Sequence, residues 1–241
     1  DEDKPQERRR VDHMLLLGAG GPRKPHVVQN LVFKAVEYIW PNETAESPSM
    51  LVVASSNAQA KNISTSQWKA RTLHNAGCMR IQEMINPKMR PGDKAGTLET
   101  LWGNVKVLVI EEVSMVSAAI YNMLDFRAMY GRAKSHAVTE RNYKEPECSF
   151  GRCPIIIHLG DFLQLKPTGG AMSLITNLKS LEEQGELKEM PAEFQAAMRL
   201  FCKLPLCYEL QETNRFKDNR LRDLMAFMRN PSAALPPAIA R

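Results

Sequence analysis

The stretch Val105-Lys-Val-Leu-Val-Ile110, with the paired acids Glu111 and Glu112 directly after it, carries the strongest fold signal in the chain. A run so nearly continuous in apolar residues is typical of a central strand that is covered by helices on both faces. Short runs of the same kind recur at residues 14–17, 50–54, 155–159 and 206–210. Because longer segments with helical character separate them, the sequence predicts βαβ units and an α/β fold with a mostly parallel sheet.

The spacing of apolar residues between these runs predicts the main helices. The first spans residues 27–40 and ends before Pro41, which cannot continue a helix. Others are expected at residues 117–130, 191–203 and 220–229. The apolar stripe of the last helix is typical of packing against the sheet, with a binding groove as the less favoured alternative.

The composition excludes several classes of protein. The chain has 241 residues, a formal net charge of +5, 44% hydrophobic and 24% charged residues, values typical of globular proteins. They exclude a disordered, collagen-like or small disulfide-rich protein, and the length suits one large domain. No apolar run approaches the roughly 18 residues of a membrane span, so no membrane partner is predicted. The mild basicity permits a polyanionic partner.

The cysteines give a weaker signal. Five cysteines without an export signal favour reduced thiols over a disulfide framework. Cys148 and Cys153 are separated by four residues, as are Cys202 and Cys207. Zinc binding is the less favoured interpretation because this spacing is loose.

The ends of the chain suggest its organisation. The first ten residues, DEDKPQERRR, lack the apolar region of a secretory signal, and the chain begins with Asp. We therefore expect a fragment, or an incomplete gene model, of an intracellular protein, with a charged tail at residues 1–10, a domain at 11–230 and a linker at 231–241. An insertion is predicted at about residues 131–153, and its cations include Arg132 and Arg152. These cations would track a nucleic-acid backbone, or, as nearby glutamates favour, lie on a solvated insertion.

A glycine-rich segment follows the first strand, at the edge where an open α/β sheet binds its ligands. Its sequence, Gly18-Ala-Gly-Gly-Pro-Arg-Lys24-Pro25, lies between strand and helix as a phosphate-binding P-loop does. In the pattern Gly-x-x-x-x-Gly-Lys-Ser/Thr, backbone N–H groups and the lysine bind phosphates and the hydroxyl binds Mg²⁺. Gly18 and Lys24 fit this frame, whereas Arg23 replaces the second glycine and Pro25 replaces the hydroxyl residue.

Acids and other polar groups follow three further strands. Glu111 and Glu112 stand where a P-loop enzyme presents one carboxylate to Mg²⁺ and one to the attacking water, or they cap the following helix. Gln164, in the turn after the fourth strand, would sense a γ-phosphate or satisfy loop backbone. Arg215, after the fifth strand, suits charge on a transferring phosphoryl group or pairs with a nearby acid.

In order along the chain, these segments resemble the first RecA-like domain of the Pif-one/RecD group of superfamily one DNA helicases, including versions carried by Helitron-type transposons. The resemblance covers about residues 14–229. Its most specific part is Val107-Leu-Val-Ile-Glu-Glu-Val-Ser-Met-Val-Ser117 followed by Gly160-Asp-Phe-Leu-Gln-Leu165, which look like helicase motifs II and III. It implies a RecA-like P-loop NTPase fold with helices on both faces of the sheet, and an ATP-dependent DNA helicase that uses ATP and Mg²⁺.

The resemblance also implies a role for each candidate residue at the nucleotide. The phosphates of ATP would be held by residues of the first loop, namely Gly18, Gly20, Gly21 and Lys24. Glu111 would coordinate Mg²⁺, and Glu112 would be the general base. Gln164 would couple the γ-phosphate to movement, and Arg215, within Glu212-Thr-Asn-Arg-Phe216, would reach the nucleotide.

The partner implied by the resemblance is single-stranded or forked DNA. Asn57, Thr72 and His74 occupy the positions that would contact the single strand, although a packed or exposed histidine without this role is an alternative for His74. A second RecA-like domain would be needed in cis, and the sequence does not indicate an oligomeric state. The nucleus is the expected compartment, with the mitochondrion as the alternative.

Three departures from the family pattern fall on positions that bind MgATP: Arg23, Pro25 and Glu111. They leave two main hypotheses, an active helicase motor and a relic that only binds single-stranded nucleic acid. A different P-loop phosphotransferase is a third hypothesis, which the motif III segment disfavours.

Overall fold

The computed structural model describes residues 12–18, 23–41, 47–79, 94–136, 149–169, 171–176, 178–185, 188–202, 204, 206–210 and 227. Apart from residue 227, the helix predicted at 220–229 lies outside the described residues, as do the tail at 1–10 and the linker at 231–241. Among the described helices, none is both long and apolar enough to cross a membrane.

The described strands form one sheet. They are β1 Asp12–Gly18, β2 Met50–Ala54, β3 Arg71–Thr72, β4 Val107–Glu111, β5 Ile155–Gly160 and β6 Leu206–Leu210. Their order is β3-β2-β4-β5-β1-β6, and every pairing is parallel. The parallel α/β prediction is confirmed, although β3 was missed because two residues are too few to show a pattern. Because the strands are parallel, their carboxyl ends share one edge of the sheet.

Helices connect these strands. They are α1 Arg23–Val27, α2 Phe33–Ile39, α3 Asn57–Ile63, α4 Leu73–Ala76, α5 Ala95–Trp102, α6 Ala118–His136, α7 Ser149–Arg152, α8 Leu178–Glu183 and α9 Ala192–Cys202. The short segment α7 is a left-handed turn and not a regular helix, because φ is 47° at Phe150 and 63° at Gly151. The helices predicted at residues 117–130 and 191–203 correspond to α6 and α9. The first helical run begins earlier than predicted, because Pro25 is tolerated in the first turn of α1. A π turn at Val28–Val32 joins α1 to α2, and the run ends before Pro41 as predicted.

Side chains of β4 alternate between two hydrophobic cores. Val107 and Val109 pack with the helical run at residues 23–39 and with α3, whereas Leu108 and Ile110 pack with α4, α5, α6 and α9. Helices therefore cover both faces of the sheet, as predicted. Glu111 shares the parity of Val107 and Val109, so it faces the helical run that carries Lys24.

Regular or turn structure occupies both ends of the insertion predicted at about residues 131–153. Helix α6 continues to His136, and Arg132 within it is 1% exposed. Its guanidinium donates hydrogen bonds to the backbone carbonyls of Trp102, Val105, Gly151 and Arg152. Arg132 therefore ties α6 to two neighbouring segments and does not track a nucleic acid. Residues 137–148 lie outside the described residues.

Cys153 belongs to the same packed region. Its thiol is buried, and burial raises its pKa to about 11. Cys148, which shares with Cys153 the spacing considered for zinc, lies outside the described residues. Within the described ranges, no three His, Cys, Asp or Glu side chains cluster so as to hold a metal ion.

Two buried histidines stack between β1 and β5. The ring centroids of His13 and His158 are 6.0 Å apart. The carbonyl of Met14 accepts from Nδ1 of His158 at 3.2 Å, so Nε2 is left to accept the hydroxyl of Tyr121 at 2.9 Å. Neither ring nitrogen of His13 has a hydrogen-bond partner among the described residues. Burial lowers the pKa of His13 to about 4 and that of His158 to about 3.

We expect His13→Leu to weaken the acid sensitivity of folding. An unfolded histidine takes up a proton below about pH 6.5, whereas folded His13 stays neutral down to a pKa of about 4. The unfolded state therefore binds more protons in this window, and the free energy of unfolding falls as the pH falls. His13→Leu removes this contribution, about 3 kcal/mol by pH 4.

Urea unfolding between about pH 7 and pH 4 measures this effect. His26→Leu, at an exposed position of α1, is the matched control and should keep the wild-type pH dependence. Equal pH dependence in His13→Leu and the wild type would show that His13 is not held neutral by burial.

Candidate nucleotide site at the carboxyl edge of the sheet

Lys24 lies in the first turn of α1 and points back toward the end of β1. Its side chain is 2% exposed, and Nζ donates a hydrogen bond to the carbonyl of Gly18 at 2.9 Å. Its charge also lowers the pKa of both Glu111 and Glu112. One ammonium and two carboxylates therefore share this edge of the sheet, as predicted from the strand ends.

Glu111 ends β4 with a buried carboxylate. The side chain is 5% exposed, and Oε2 has no hydrogen-bond partner among the described residues. Burial, and secondly the charge of Glu112, raises its pKa to about 7, while Lys24 acts in the opposite direction. Because an ionised carboxylate is costly in such surroundings, the position favours either a proton or a bound cation.

Glu112 turns the chain out of β4. Its backbone is left-handed, with φ 51° and ψ 52°, which is uncommon for a residue with a side chain. A 3-10 turn, Val113–Met115, follows directly. Burial raises the pKa of the half-buried Glu112, Lys24 lowers it, and Asp161 raises it. A raised pKa makes this carboxylate a better proton acceptor near neutral pH.

Asp161 holds the side chain of Gln164. Its carboxylate, in a residue that is 4% exposed, accepts from Nε2 of Gln164 at 2.9 Å and from the N–H of Leu163 at 3.1 Å. The N–H of Gln164 donates to the carbonyl of Asp161 at 3.0 Å. Gln164 is itself exposed, so the turn places an amide of defined orientation at the surface of this edge.

Gly160 lets the end of β5 lie close to the turn that follows β4. A Cβ at this position would lie 2.8 Å from Cγ1 of Val113 and 3.3 Å from the backbone nitrogen of Ser114. A side chain here would push against the turn that carries Glu112. Packing therefore requires a glycine here. The sequence alone showed only that this glycine follows a predicted strand.

The residues proposed to contact DNA lie at the same edge. Asn57 begins α3 after β2, Thr72 ends β3, and His74 lies in α4. Asn57 is exposed, whereas Thr72 and His74 are half-buried. The hydroxyl of Thr72 also accepts from the N–H of Asn75 at 3.2 Å, so it caps α4. Gly20, Gly21 and Arg215 lie outside the described residues.

A family model for PIF1-like helicases matches residues 7–223 of this chain. The chain belongs to the PIF1-like helicase family. No curated protein matches the chain in a direct sequence comparison.

Solved structures of Pif1 helicases share the fold. The Candida albicans Pif1 helicase is 20% identical with a TM-score of 0.59, over 96% of this chain and 42% of that one. Bacteroides Pif1 bound to single-stranded DNA is 19% identical with a TM-score of 0.55, over 92% and 44%. Bacteroides Pif1 with ADP-AlF3 and single-stranded DNA is 18% identical with a TM-score of 0.51, over 95% and 44%. The fold is therefore that of a RecA-like helicase domain, and this chain spans less than half the length of these proteins.

Sequence reasoning missed one contributor to the site of this PIF1-like domain. Asp161 lies in the segment that looks like motif III but was given no role of its own, although it orients Gln164 and raises the pKa of Glu112. The signal was available, because Asp161 follows a buried parallel strand just as Glu111 and Glu112 do. An acid at that position must lie near acids at the other strand ends.

We expect Gly160→Ala to destabilise the domain by about 1–3 kcal/mol, because the added methyl group overpacks the turn after β4. Gly96→Ala is the matched control, since nothing lies within 4 Å of a Cβ at that helical position. It should be neutral or stabilise by up to about 1 kcal/mol. Denaturant unfolding of both variants measures the difference, and equal stabilities would refute the close approach at Gly160.

Proposed function

We propose that this chain is the first motor domain of an ATP-dependent DNA helicase, which couples ATP hydrolysis to movement along single-stranded DNA and to duplex unwinding. The observation that carries the proposal is the convergence of Lys24, Glu111 and Glu112 at one edge of the sheet, beside the Asp161–Gln164 pair. A Bacteroides Pif1 structure that holds both ADP-AlF3 and single-stranded DNA supports it by analogy.

The groups at this edge fit Mg²⁺, although they lack the hydroxyl ligand that a standard P-loop provides. Glu111 offers a buried carboxylate oxygen with no described partner, and Mg²⁺ prefers such hard oxygen ligands. Pro25 offers no hydroxyl, so phosphate oxygens and water would complete the coordination. When bound, Mg²⁺ would neutralise charge on the β- and γ-phosphates.

Different side chains of the protein would then bind ATP, accept a proton and sense the γ-phosphate. Lys24 would exchange its hydrogen bond to Gly18 for one to a phosphate oxygen. Glu112 would accept a proton from the attacking water. Gln164, oriented by Asp161, would sense the γ-phosphate, and Arg215 would stabilise charge on the transferred group.

Single-stranded or forked DNA would cross the carboxyl ends of β2 and β3, where Asn57, Thr72 and His74 lie. A second RecA-like domain in cis would close over the nucleotide and the DNA. The family resemblance is the basis for proposing DNA repair, recombination and telomere maintenance as the processes served. It is also the basis for proposing the nucleus, with the mitochondrion as the alternative.

A second candidate function is a relic that binds single-stranded nucleic acid but not ATP. The observation that favours it is the first turn of α1, where Arg23 and Pro25 replace the glycine and hydroxyl residues while the helix still forms. Such a protein would bind single strands in a salt-dependent manner and without regard to nucleotide.

We expect the full-length protein to bind a fluorescent ATP analogue in a Mg²⁺-dependent manner, and Lys24→Ala to weaken this binding by roughly tenfold to a hundredfold through loss of a charged hydrogen bond. Lys34→Ala, at an exposed position on the same helical run, is the matched control and should bind normally. Binding that appears only in the Arg23→Gly/Pro25→Thr variant would favour the relic. Binding that survives Lys24→Ala would refute the assignment of the loop.

We expect Glu112→Gln to lower the rate of DNA-stimulated ATP hydrolysis by about 10²–10⁴-fold while nucleotide binding persists, because the amide cannot accept the proton of water. Glu182→Gln, an exposed glutamate in α8, is the control with the same chemical change. Steady-state hydrolysis with saturating single-stranded DNA measures the effect. An unchanged rate in Glu112→Gln would exclude Glu112 as the base.

A further inference from the structure

The segment proposed to contact DNA and the segment that carries the proposed base leave the sheet side by side. Ala54, the last residue of β2, pairs with Glu111, the last residue of β4. Ser55 and Glu112 are therefore the first residues beyond the sheet on adjacent strands. A contact between these two segments therefore connects the residues proposed to bind DNA directly with the candidate nucleotide site.

Gln59 is fixed in orientation by the start of α3. The N–H of Gln59 donates to the hydroxyl of Ser56 at 3.3 Å, and that hydroxyl lies 3.1 Å from Oε1 of Gln59. The hydroxyl of Ser55 also contacts Oε1. Because both serine hydroxyls lie on the oxygen of the amide, its Nε2 group is directed away from them. The pattern Ser56-x-x-Gln59 is the sequence signature of a capping box, which sequence reasoning overlooked, and the hydroxyl of Ser56 does cap the N–H of Gln59.

Nε2 of Gln59 meets the turn after β4 at Met115. It lies 3.3 Å from Sδ of Met115, and the hydroxyl of Ser55 lies 3.8 Å from the same sulfur. The N–H of Met115 in turn donates to the carbonyl of Glu112 at 2.9 Å. A continuous path of contacts thus runs from the first turn of α3, where Asn57 lies, through Gln59 and Met115 to Glu112.

We propose that the contact between Gln59 and Met115 couples DNA binding to the position of the base Glu112, so that Met115 is a positioning residue for DNA-stimulated ATP hydrolysis. This inference rests on the proposed function. A strand bound at Asn57 shifts the first turn of α3, and Gln59 transmits the shift to the 3-10 turn. Glu112 responds because its left-handed backbone is less favourable than ordinary conformations and is maintained by its surroundings.

The test compares ATP hydrolysis by the full-length protein with and without saturating single-stranded DNA. Met115→Leu keeps the apolar volume but removes the sulfur that accepts from Gln59. The ratio of the DNA-stimulated to the basal rate should fall about threefold to tenfold, a typical effect of a coupling residue. Met123→Leu, at a methionine buried in α6, is the matched control and should leave the ratio unchanged.

Gln59→Glu provides a second, independent variant. It keeps the oxygen that faces Ser55 and Ser56 but replaces the N–H donor toward Met115 with a second oxygen. Its negative charge would weaken DNA binding, and the use of saturating DNA keeps the protein fully bound. If the contact carries the coupling, the double variant with Met115→Leu should lower the ratio no further than one single variant. An unchanged ratio in Met115→Leu, or a parallel fall of both rates, would overturn the inference while leaving the proposed function intact.

A spectroscopic readout separates this inference from hydrolysis. In protein labelled with ¹³C-methyl methionine, the Met115 resonance, assigned from Met115→Leu, should shift when single-stranded DNA is added without ATP, and less in Gln59→Glu. If the chemical shift of the Met115 methyl group does not change when DNA binds, the inference is overturned, even in a protein that does not hydrolyse ATP. A wild-type protein that binds neither DNA nor nucleotide would overturn the proposed function and this inference together.

Discussion

The ammonium of Lys24 and the carboxylates of Glu111 and Glu112 share an edge of the sheet, where Lys24 and Glu111 are buried and Glu112 is half-buried. Each carboxylate pays a desolvation penalty there, which raises its pKa, and the lysine offsets only part of it. The remaining imbalance lies on the carboxylates and suits a divalent cation, which would compensate their charge and so allow a polyanion to bind beside them. The parallel register of the strands creates this imbalance by ending β1 and β4 at one edge.

Close packing supports this electrostatic arrangement. Gly160 leaves no room for a side chain between the end of β5 and the turn after β4, and that turn begins with a left-handed glutamate. Asp161 follows directly, and its carboxylate accepts hydrogen bonds from the side chain of Gln164 and the N–H of Leu163. Motifs that are far apart in the chain thus meet at one edge of the sheet, where Gly160 packs against the turn that carries Glu112 and Asp161 orients Gln164.

The altered phosphate loop has a clear structural consequence. Pro25 removes a hydroxyl and an N–H donor but is accommodated in the first turn of α1, and the helical run continues through a π turn to Ile39. Lys24 remains buried against Gly18. The fold of this PIF1-like domain therefore tolerates departures that reduce the number of groups available to MgATP, which is why both a working motor and a relic are physically consistent with this loop.

The sequence by itself determined the parallel α/β fold, because apolar runs with turn and helix signals between them depend only on local pattern and burial. It also located Lys24, Glu111, Glu112 and Gln164, because ligand-binding groups follow the carboxyl ends of parallel strands. Periodicity could not reveal the two-residue strand β3, and charge counting misassigned Arg132, whose guanidinium is buried against carbonyls from distant segments. The roles of Asp161, Gly160, Gln59 and Met115 were decided only by the tertiary structure. Each of them depends on a contact between segments that are brought together by strand register, and a local pattern contains no information about such distances.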